Sequence, residues 1–564
     1  MNRNLLILIV AVTATFVISF VAFSTLKVEP EGPLKDVVEK ILVNFKMKHC
    51  EWINVIREHG FDYHKALEEC EVDLNSTVVA FSEALATASF VAAILGTLMF
   101  WNKRLSFVMI GVALLLFLGT APFEMILEHM ELGLILFLIS MMIIVEYLNE
   151  SGVLGWITVK LVKASKFQPL RFVAILGFLS WIMAALVDEV TSIVFVTRVV
   201  ISIASMLELN PIPLVIYSVM ATNIGSSATM IGNPIGIYIA LQSGKSFEDF
   251  LEWATPGSLL ALLTLLPIAL VWLSKTGLFK KLREKGSMIS LDEWSALGIS
   301  SELYEAYKSG KLTGKEAEEV EAALKRFKRG WAFFIAVLLL IAFHTPLSGA
   351  LNQFLAYLYA AMSVGSEVSI HAEVPPDALL VFSPVVVAAI LMFTHEEPRR
   401  LVEKGVEWWT LLFFMFLFAI ASALSYTGVT DKMAYSLVQM VGGLTFESTV
   451  TLAITIAVVS AVVSAFLDNM PVVVALSPVV KTLIEVGLPG GEVLWWALLY
   501  GSTMGGNMTL IGSTANIVAL GILERHGRTV KFWDWFKVGV VVVALTLGVA
   551  LASLLFHASL VYHQ

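Results

Sequence analysis

The sequence predicts an all-α polytopic membrane protein built as an inverted repeat, and three observations carry this prediction. The 564-residue chain is 58% hydrophobic and only 15% charged, whereas soluble domains are about 25% charged. It contains many apolar runs of roughly twenty residues, the length that crosses a hydrocarbon core. Two stretches rich in glycine and small polar residues also recur in register, one in each half.

About eleven apolar runs are predicted to be transmembrane helices. The first follows Arg3 and resembles a signal peptide, but its length and the lack of a small-x-small cleavage site favour a retained helix. The runs lie at residues 5–25, 78–101, 105–122, 131–148, 211–241, 256–274, 331–349, 377–394, 407–425, 492–522 and 537–557.

Two further apolar segments, 171–206 and 447–485, are interrupted halfway by the polar clusters VDEVTS and LDNMP. A turn in the middle of a membrane is tolerated only where protein or water covers it. Each segment is therefore predicted to be a re-entrant helical hairpin. The runs 211–241 and 492–522 contain the glycine-rich stretches and are predicted to be broken helices.

The Lys and Arg residues of the short loops fall on one side of the cell membrane if the N-terminus is cytoplasmic and the C-terminus extracytoplasmic. The chain then divides into an extra first helix with an extracytoplasmic segment (1–76), a first repeat (77–274), a cytoplasmic linker (275–330) and a second repeat (331–557). The helical charge pattern of the linker is interpreted as a solvated face, with a regulatory role as the alternative. Cys50 and Cys70 are then extracytoplasmic, and they form either a disulfide or two separate thiols.

The chain aligns with itself at an offset of 280 residues, which places Asp188 on Asp468, Gly225 on Gly505 and Thr229 on Thr509. At an offset of 276, VEYLNESGV (145–153) falls on ASALSYTGV (421–429). Corresponding spans run in opposite directions on the predicted topology. Paired, Gly-interrupted spans in inverted halves are typical of secondary transporters with a midplane site.

A broken helix exposes N–H and C=O groups that lipid cannot satisfy, and a polar substrate or ion can replace the missing partners. Half-helix N-termini favour an anion, whereas unwound carbonyls suit a cation. The alternative is that small residues merely allow close helix packing. The residues predicted to bind at the breaks are Gly225, Ser226, Ser227, Thr229, Gly505, Gly506, Asn507 and Thr509.

Asp188, Glu189 and Asp468 lie at the hairpin tips, where intramembrane acids typically mark ion sites or proton relays. Alternatively, each aspartate caps the second helix of its hairpin by accepting backbone N–H bonds, and the two roles are compatible. Asn469 stands at the second tip where Glu189 stands at the first. This difference of one negative charge is a candidate for ion coupling.

Six motifs resemble the arsenite efflux pump and melanosomal P protein permeases of the ion transporter superfamily. They are MMIIVEYLNESGVLGWITVKLVKAS, LVDEVTSIVF, TNIGSSATMIGNP, VEWWTLLFFMFLFAIASALSYTGV, FLDNMPVVVAL and MGGNMTLIGSTANIVA. The resemblance, over roughly residues 80–560, implies paired hairpins, two broken helices and a scaffold that forms a homodimer. It also implies a substrate between tips and breaks, at Asp188, Glu189, Thr191, Asn223, Gly225, Thr229, Asp468, Asn469, Gly505, Asn507, Thr509 and Asn516.

Two departures from the family pattern affect the substrate. The usual Asp-Asn at the first tip is Asp188-Glu189, and the usual Gly-Asp-Pro-Pro-Asn after the first break is Gly-Asn-Pro-Ile-Gly, residues 232–236. An acid has moved from the helix break to the hairpin tip. The substrate of any one family member is therefore not transferred.

Two transport functions fit these residues. The first is a secondary active transporter of a small inorganic oxyanion, metalloid hydroxide or carboxylate, coupled to protons or sodium. The alternative is a sodium/proton antiporter, in which the acidic tip residues exchange the ions. We expect no cofactor, except for a sodium ion at the same residues, and the partners are the substrate and the lipid bilayer.

Other functions fit less well. An uncoupled channel remains a weaker alternative. An enzyme is not expected, because ALVDEV and AFLDNM lack the Tyr-Asp and Gly-x-Gly-Asp motifs of intramembrane aspartyl proteases. The sequence contains no GxxxxGK[ST] motif for ATP-driven transport. It has no basic stripe that indicates nucleic acid.

Overall fold

The computed structural model describes residues 3–29, 34–49, 72–362 and 373–562. Within these ranges the chain forms helices and no strands. Ten described helices are long and apolar enough to cross a membrane, or up to eleven if a bent pair counts as one span. The predicted class, an all-α polytopic membrane protein, is confirmed. Cys50 and Cys70 lie outside the described residues.

The first half contains the helices that precede and form the first repeat. They are α1 (Arg3–Thr25), α2 (Lys35–His49), α3 (Thr77–Met99), α4 (Arg104–Phe117), α5 (Phe123–Glu128), α6 (Leu132–Glu150), α7 (Val153–Ala164), α8 (Pro169–Leu186), α9 (Glu189–Met206), α10 (Ile212–Gly225), α11 (Pro234–Ser243) and α12 (Thr255–Ser274).

The linker and the second repeat contain the remaining helices. They are α13 (Leu278–Lys285), α14 (Ser301–Lys308), α15 (Lys315–Ala342), α16 (His344–Met362), α17 (Pro376–Thr394), α18 (Pro398–Gly405), α19 (Trp408–Tyr426), α20 (Val429–Val441), α21 (Phe446–Ser464), α22 (Asn469–Glu485), α23 (Val493–Gly505), α24 (Thr514–Arg525) and α25 (Phe532–Tyr562).

The same order of elements occurs in both halves. In each, a long helix (α6 or α19) is followed two residues after its end by a glycine in the left-handed conformation, with φ of 77° at Gly152 and 95° at Gly428. A short helix follows (α7 or α20), then two helices joined at an acidic tip (α8–α9 or α21–α22), then a broken helix (α10–α11 or α23–α24). The duplication read from the sequence is therefore visible in the elements. Their opposite orientation in the membrane stays a prediction.

The arms of the two hairpins contain 18, 18, 19 and 17 residues. At 1.5 Å per residue they are about 26 to 29 Å long, close to the roughly 30 Å of the hydrocarbon core. An arm of this length fits either a hairpin that turns back or a pair of crossing helices. The re-entrant character of the hairpins stays a prediction.

Two predicted spans differ from the observed helices. In place of a span at 105–122, α4 ends at Phe117 and Gly119 takes a φ of 65°, so the 14-residue helix is too short to cross alone. In place of a span at 331–349, α15 begins in the linker and bends by 75° into α16 after Ala342. Pro346 in the first turn of α16 has no N–H for a continuous helix.

The chain divides into two compact units, and each contains parts of both repeats. Unit 1 comprises Met1–Leu132, Trp408–Ser502 and Leu554–Gln564, and it contains the hairpin α21–α22. Unit 2 comprises Gly133–Glu407 and Thr503–Ser553, and it contains the hairpin α8–α9, both halves of the first broken helix and the second half of the other.

Candidate functional site

The first helix break, residues 226–233, is buried in unit 2. Two serine hydroxyls close the end of α10: Ser226 Oγ donates to Asn223 O at 3.0 Å, and Ser227 Oγ donates to Ile224 O at 2.7 Å. The last four carbonyls of a helix have no partner within it. The Ser226 hydroxyl therefore satisfies the buried carbonyl of Asn223, whereas Ile224 O accepts from both the Ser227 hydroxyl and the Ser258 hydroxyl.

Asn233 begins the second half of this broken helix. Its Oδ1 accepts from the N–H of Gly236 at 2.9 Å, its Nδ2 donates to Ser226 Oγ at 3.0 Å, and Pro234 follows at the first helical position. Asparagine is a favoured N-cap, and proline suits this position because its missing N–H would have no partner there. The positive end of the α11 dipole therefore points into the break.

The second helix break, residues 506–513, also lies between a helix end and a capped second half-helix. A 3₁₀ turn, Gly506–Met508, ends the first half, and Ser513 caps α24 by accepting from the N–H of Ala515 at 3.2 Å. Ser513 stands 280 residues after Asn233, the offset of the repeat. The prediction did not include these two caps as site residues. A sequence signal for these caps was present: an Asn or Ser follows each of the matched glycines Gly232 and Gly512 and precedes an apolar helix.

A network of buried amides joins the first broken helix to the second half of the other. Asn223 Nδ2 donates to Asn507 Oδ1 at 2.8 Å and to Asn516 Oδ1 at 2.9 Å, and its Oδ1 accepts from Ser513 Oγ at 3.1 Å. All four side chains are fully buried. The structure therefore brings together three predicted site residues, Asn223, Asn507 and Asn516.

The remaining groups of this network also have partners. Asn516 Nδ2 donates to the carbonyls of Gly506 and Thr509, both at 2.8 Å, and Asn507 Nδ2 donates to Met220 O at 3.2 Å. Trp535 of α25, which the prediction omitted, donates from Nε1 to Asn507 O at 2.9 Å. A fully satisfied polar network rigidifies its surroundings, so these contacts fix the shape of the second break.

The first hairpin tip lies against the first break. The N–H of Glu189 donates to Gly232 O at 3.1 Å, and the hydroxyl of Thr229 donates to Ala185 O. Asp188 Oδ1 accepts from the N–H groups of Val190 and Thr191, both at 2.8 Å. Asp188 is therefore the N-cap of α9, as the capping alternative proposed, and Thr191 contributes its backbone.

Two adjacent carboxylates thus stand at the junction of tip and break. Glu189 is only 5% exposed, while Asp188 is partly exposed. Carboxylates beside each other in a low-dielectric region favour a bound proton or cation, because two negative charges repel and burial disfavours both. This corner of unit 2 can therefore hold positive charge, while the capped ends of α11 and α24 favour an anion.

The second hairpin tip belongs to unit 1. Asp468 caps α22 by accepting from the N–H of Asn469 at 3.0 Å. The Ser464 hydroxyl lies 2.7 Å from Asn469 Oδ1 and donates to Ser502 O at 2.6 Å, which ties the tip to α23. Both tips therefore carry an aspartate cap, although Asp188 accepts from the N–H groups two and three residues on and Asp468 from that of the adjacent residue. That Asp468 and Asn469 act with the residues of unit 2 stays a prediction.

The glycines and Thr509 have structural roles at the breaks. A Cβ on Gly225 would lie 2.6 Å from Trp181 Cα, so α8 and α10 approach closely only because this residue is glycine. This contact supports the packing interpretation for Gly225. Gly506 supplies its carbonyl to Asn516, and Thr509 Oγ1 accepts from the N–H of Ile511 at 3.3 Å. Gly505 ends α23.

These features define a membrane transporter: about ten apolar spans, two acid-capped hairpins and two broken helices with capped half-helices. Residues 90–501, more than half of the chain, match the CitMHS family model, which is described as "Citrate transporter". The chain belongs to this transporter family.

The chain is similar to named proteins from bacteria and from animals, among them the following three. An uncharacterized transporter of Mycobacterium tuberculosis is 29% identical over 74% of this chain and 84% of its own length. A 46 kDa membrane protein of Mycobacterium leprae is 29% identical over 80% of this chain and 92% of its own. The human P protein is 26% identical over 90% of this chain and 62% of its own. The P protein resemblance seen in the motifs is confirmed.

Proposed function

We propose that this protein is a secondary active transporter of a small anion, coupled to protons or sodium. The family description, a citrate transporter, makes a carboxylate the first substrate class to test. Inorganic oxyanions and metalloid hydroxides use the same hydroxyl and amide donors and form the next classes. Transport proceeds without covalent chemistry, so the protein is not an enzyme.

The observation that carries this proposal is the pair of capped half-helices in unit 2. Asn233 and Ser513 cap α11 and α24 at equivalent positions, and the Asn223 network joins the two breaks. A helix N-terminus attracts anions through its free N–H groups and its dipole. Two such termini on connected elements supply a site for a substrate with more than one anionic group.

The hydroxyl and amide ligands are proposed to be Ser226, Ser227, Thr229, Asn507 and Thr509. Several of these hydroxyls donate to neighbouring carbonyls in the structure. A hydroxyl that donates to a carbonyl still has lone pairs, and it can turn to donate to an anion. These residues therefore stabilise the break without substrate and can contact the substrate when it binds.

Coupling is proposed to occur at Asp188 and Glu189, with Asp468 and Asn469 as the counterparts at the second tip. A carboxylate substrate adds negative charge beside acids that are already costly in the membrane. Binding a proton or sodium ion at the tip offsets this cost, so the cation and the anion bind together. The protein is further proposed to form a homodimer in the cell membrane, with a cytoplasmic N-terminus and an extracytoplasmic C-terminus.

Uptake into proteoliposomes tests this function. Labelled citrate, succinate, phosphate and arsenite would be added outside, with an inward gradient of sodium, of protons or of neither. We expect one anion class to accumulate only with a cation gradient. Asp188→Asn should keep the helix cap but lose the dependence on the gradient, whereas Glu128→Gln, a change at an exposed acid, should retain it. Equal flux with and without gradients would support a channel.

A sodium/proton antiporter is the second candidate, because Asp188 and Glu189 are adjacent acids at a buried tip. In proteoliposomes with an acidic interior, sodium added outside would then dissipate the pH gradient. The variant Asp188→Asn, Glu189→Gln would show no response. If the parent protein does not respond to sodium, this candidate is excluded.

A further inference from the structure

The helices α7 and α20 occupy equivalent places in the two repeats. Each begins directly after its left-handed glycine, Gly152 or Gly428, and each leads into a hairpin. Residues 155 and 156 of α7 correspond to residues 431 and 432 of α20 at the offset of 276. In both repeats this surface is covered by a segment from outside the repeat.

The linker covers α7 in unit 2. A Cβ on Gly152 would lie 2.5 Å from Ala296 O, and one on Gly155 would lie 2.8 Å from Ala296 Cβ, so the linker turn fits against bare backbone. Trp156 packs its ring near Trp294, and Lys163 forms an ion pair with Glu293. The linker has a small core of its own, in which Trp294 stacks on Tyr304 at 3.8 Å.

The segment before α3 covers α20 in unit 1. A Cβ on Gly428 would lie 2.5 Å from Leu74 Cδ1 and 2.9 Å from Phe45 Cε2. Lys48 of α2 forms an ion pair with the buried Asp431 at 2.9 Å. The apolar side of α2 packs with Tyr435 of α20 in one cluster: Val28, Val38, Ile41, Phe45, Leu74, Tyr435 and Val486.

A second ion pair joins α20 to α3. Lys432 Nζ lies 2.7 Å from Glu83 Oε2 of α3 and donates to Phe23 O of α1 at 3.0 Å. Both charged side chains are fully buried. A buried charge without its partner costs several kcal/mol, so this pair fixes where α1 and α3 meet α20.

Each cover also contacts the far end of the hairpin that its helix leads into. In unit 2, Lys281 and Lys285 of α13 pair with Glu208, two residues after α9, at 3.3 and 2.7 Å. In unit 1, Lys40 of α2 donates to Val486 O, one residue after α22, at 3.0 Å, and Asn44 donates to Glu485 at 3.3 Å. Glu208 and Val486 lie at nearly equivalent positions of the repeat.

We propose that these two segments are matched clamps, one on each hairpin. Residues 278–308 of the linker and the segment 34–49 each bridge the helix before a hairpin and the end of that hairpin. The two segments lie outside the repeated sequence, yet they bridge the same two points. Each clamp holds both ends of its hairpin together and limits how far the hairpin moves. The link to transport rests on the proposed function, in which the tips carry the coupling ions.

Hydrogen–deuterium exchange of the full-length protein tests the clamp in unit 1. Lys48→Glu places two negative charges together at Asp431 and should release α2. We expect exchange in α21 and α22 to become about tenfold faster, which corresponds to about 1.4 kcal/mol, with α8 and α9 unchanged. Lys35→Glu, a change at an exposed lysine of the same helix, should leave both hairpins unchanged. Lys48→Met is a milder variant if Lys48→Glu does not fold.

Loosening the clamp in unit 2 should change hydrogen–deuterium exchange in the other hairpin, α8–α9. Gly155→Leu would displace Ala296, and we expect faster exchange in α8 and α9 with α21 and α22 unchanged. Gly349→Leu is its control, because a Cβ there meets no atom within 4 Å. Glu293→Lys, which breaks the ion pair with Lys163, is the milder variant.

The proposal is overturned if either segment loses its protection from exchange while its hairpin does not change. Exchange requires no transported substrate. If the hairpins respond but the parent protein moves no ion or anion, the clamps stand and the proposed transport function fails.

Discussion

The buried side-chain amide of Asn223 donates hydrogen bonds to the Oδ1 atoms of Asn507 and Asn516 and accepts one from the hydroxyl of Ser513. We predict that Asn223→Leu leaves two buried amide oxygens without these donors, at a cost of about 1–3 kcal/mol each. Thermal unfolding in detergent should shift to a clearly lower temperature. Asn149→Leu, in which an exposed amide is lost, is the control. Equal unfolding temperatures for the parent and Asn223→Leu would contradict the network.

Asp188 caps helix α9 and also carries a negative charge, and substitution by asparagine removes the charge but keeps the cap. Asparagine is as good an N-cap as aspartate, so Asp188→Asn should unfold within about 0.5 kcal/mol of the parent. Asp188→Leu removes the cap and should cost about 1 kcal/mol or more. Denaturation of the purified variants measures both changes. If Asp188→Asn destabilises as much as Asp188→Leu, the charge itself is required for folding.

At the scale of elements, Gly225 sets the distance between α8 and α10. Gly225→Ala should destabilise the protein by about 1–3 kcal/mol, because the new methyl group would meet the backbone of Trp181. Gly521→Ala, in α24, meets no atom within 4 Å and should stabilise its helix by up to about 1 kcal/mol. Thermal unfolding of the two variants should therefore shift in opposite directions. Parallel shifts would contradict the close approach of α8 and α10.

The linker contains a carboxylate that links its fold to pH. Burial tends to raise the pKa of Asp292, but hydrogen bonds from Ser301 and from the N–H of Trp294 outweigh it and hold the pKa below its ordinary value. A carboxyl whose folded pKa is lowered stabilises the fold above its unfolded pKa, about 3.9, and this stabilisation is lost as the pH falls.

We therefore predict that pepsin cleaves the linker faster as the pH is lowered from about 5 to about 3, after correction for the activity of pepsin on an unstructured peptide. Asp292→Asn should be cleaved readily at both pH values, because the amide nitrogen in place of Oδ2 cannot accept the hydrogen bond from the N–H of Ser301. Asp377→Asn, a change at an exposed acid outside the linker, should behave like the parent. The absence of a pH effect in the parent would show that Asp292 does not hold the linker.

Elements whose polar or glycine-rich signal interrupts the apolar pattern were predictable from the sequence, and those whose signal is a single residue inside an apolar run were not. The polar tips VDEVTS and LDNMP and the glycines at 225 and 505 interrupt apolar runs, so hairpins and breaks could be placed within a few residues. The early end of α4 and the bend between α15 and α16 also have local signals, Gly119 and Pro346, but the residues around them are so apolar that a count of hydrophobic residues extends each span past them. Hydrophobicity alone does not show where a helix ends within such a run.

At the scale of the whole molecule, each compact unit is assembled from both repeats. The contact between Asn223 and Asn507 joins residues that are 284 positions apart. The repeat showed that these stretches are related, because matched residues recur at one offset. It did not show which helices touch, since contacts between distant helices leave no period in the sequence. The two clamps were hidden for the same reason.

Cation binding at the acidic tip is proposed to drive anion transport, and accumulation of the anion against its own gradient is the measurement to make. Proteoliposomes would be loaded with labelled citrate at the outside concentration, and an inward sodium or proton gradient would then be imposed. We predict that the inside concentration rises above the outside in the parent and stays level in the variant Asp188→Asn, Glu189→Gln. Accumulation in both proteins, or in neither with any of the tested anions, would contradict coupling at Asp188 and Glu189.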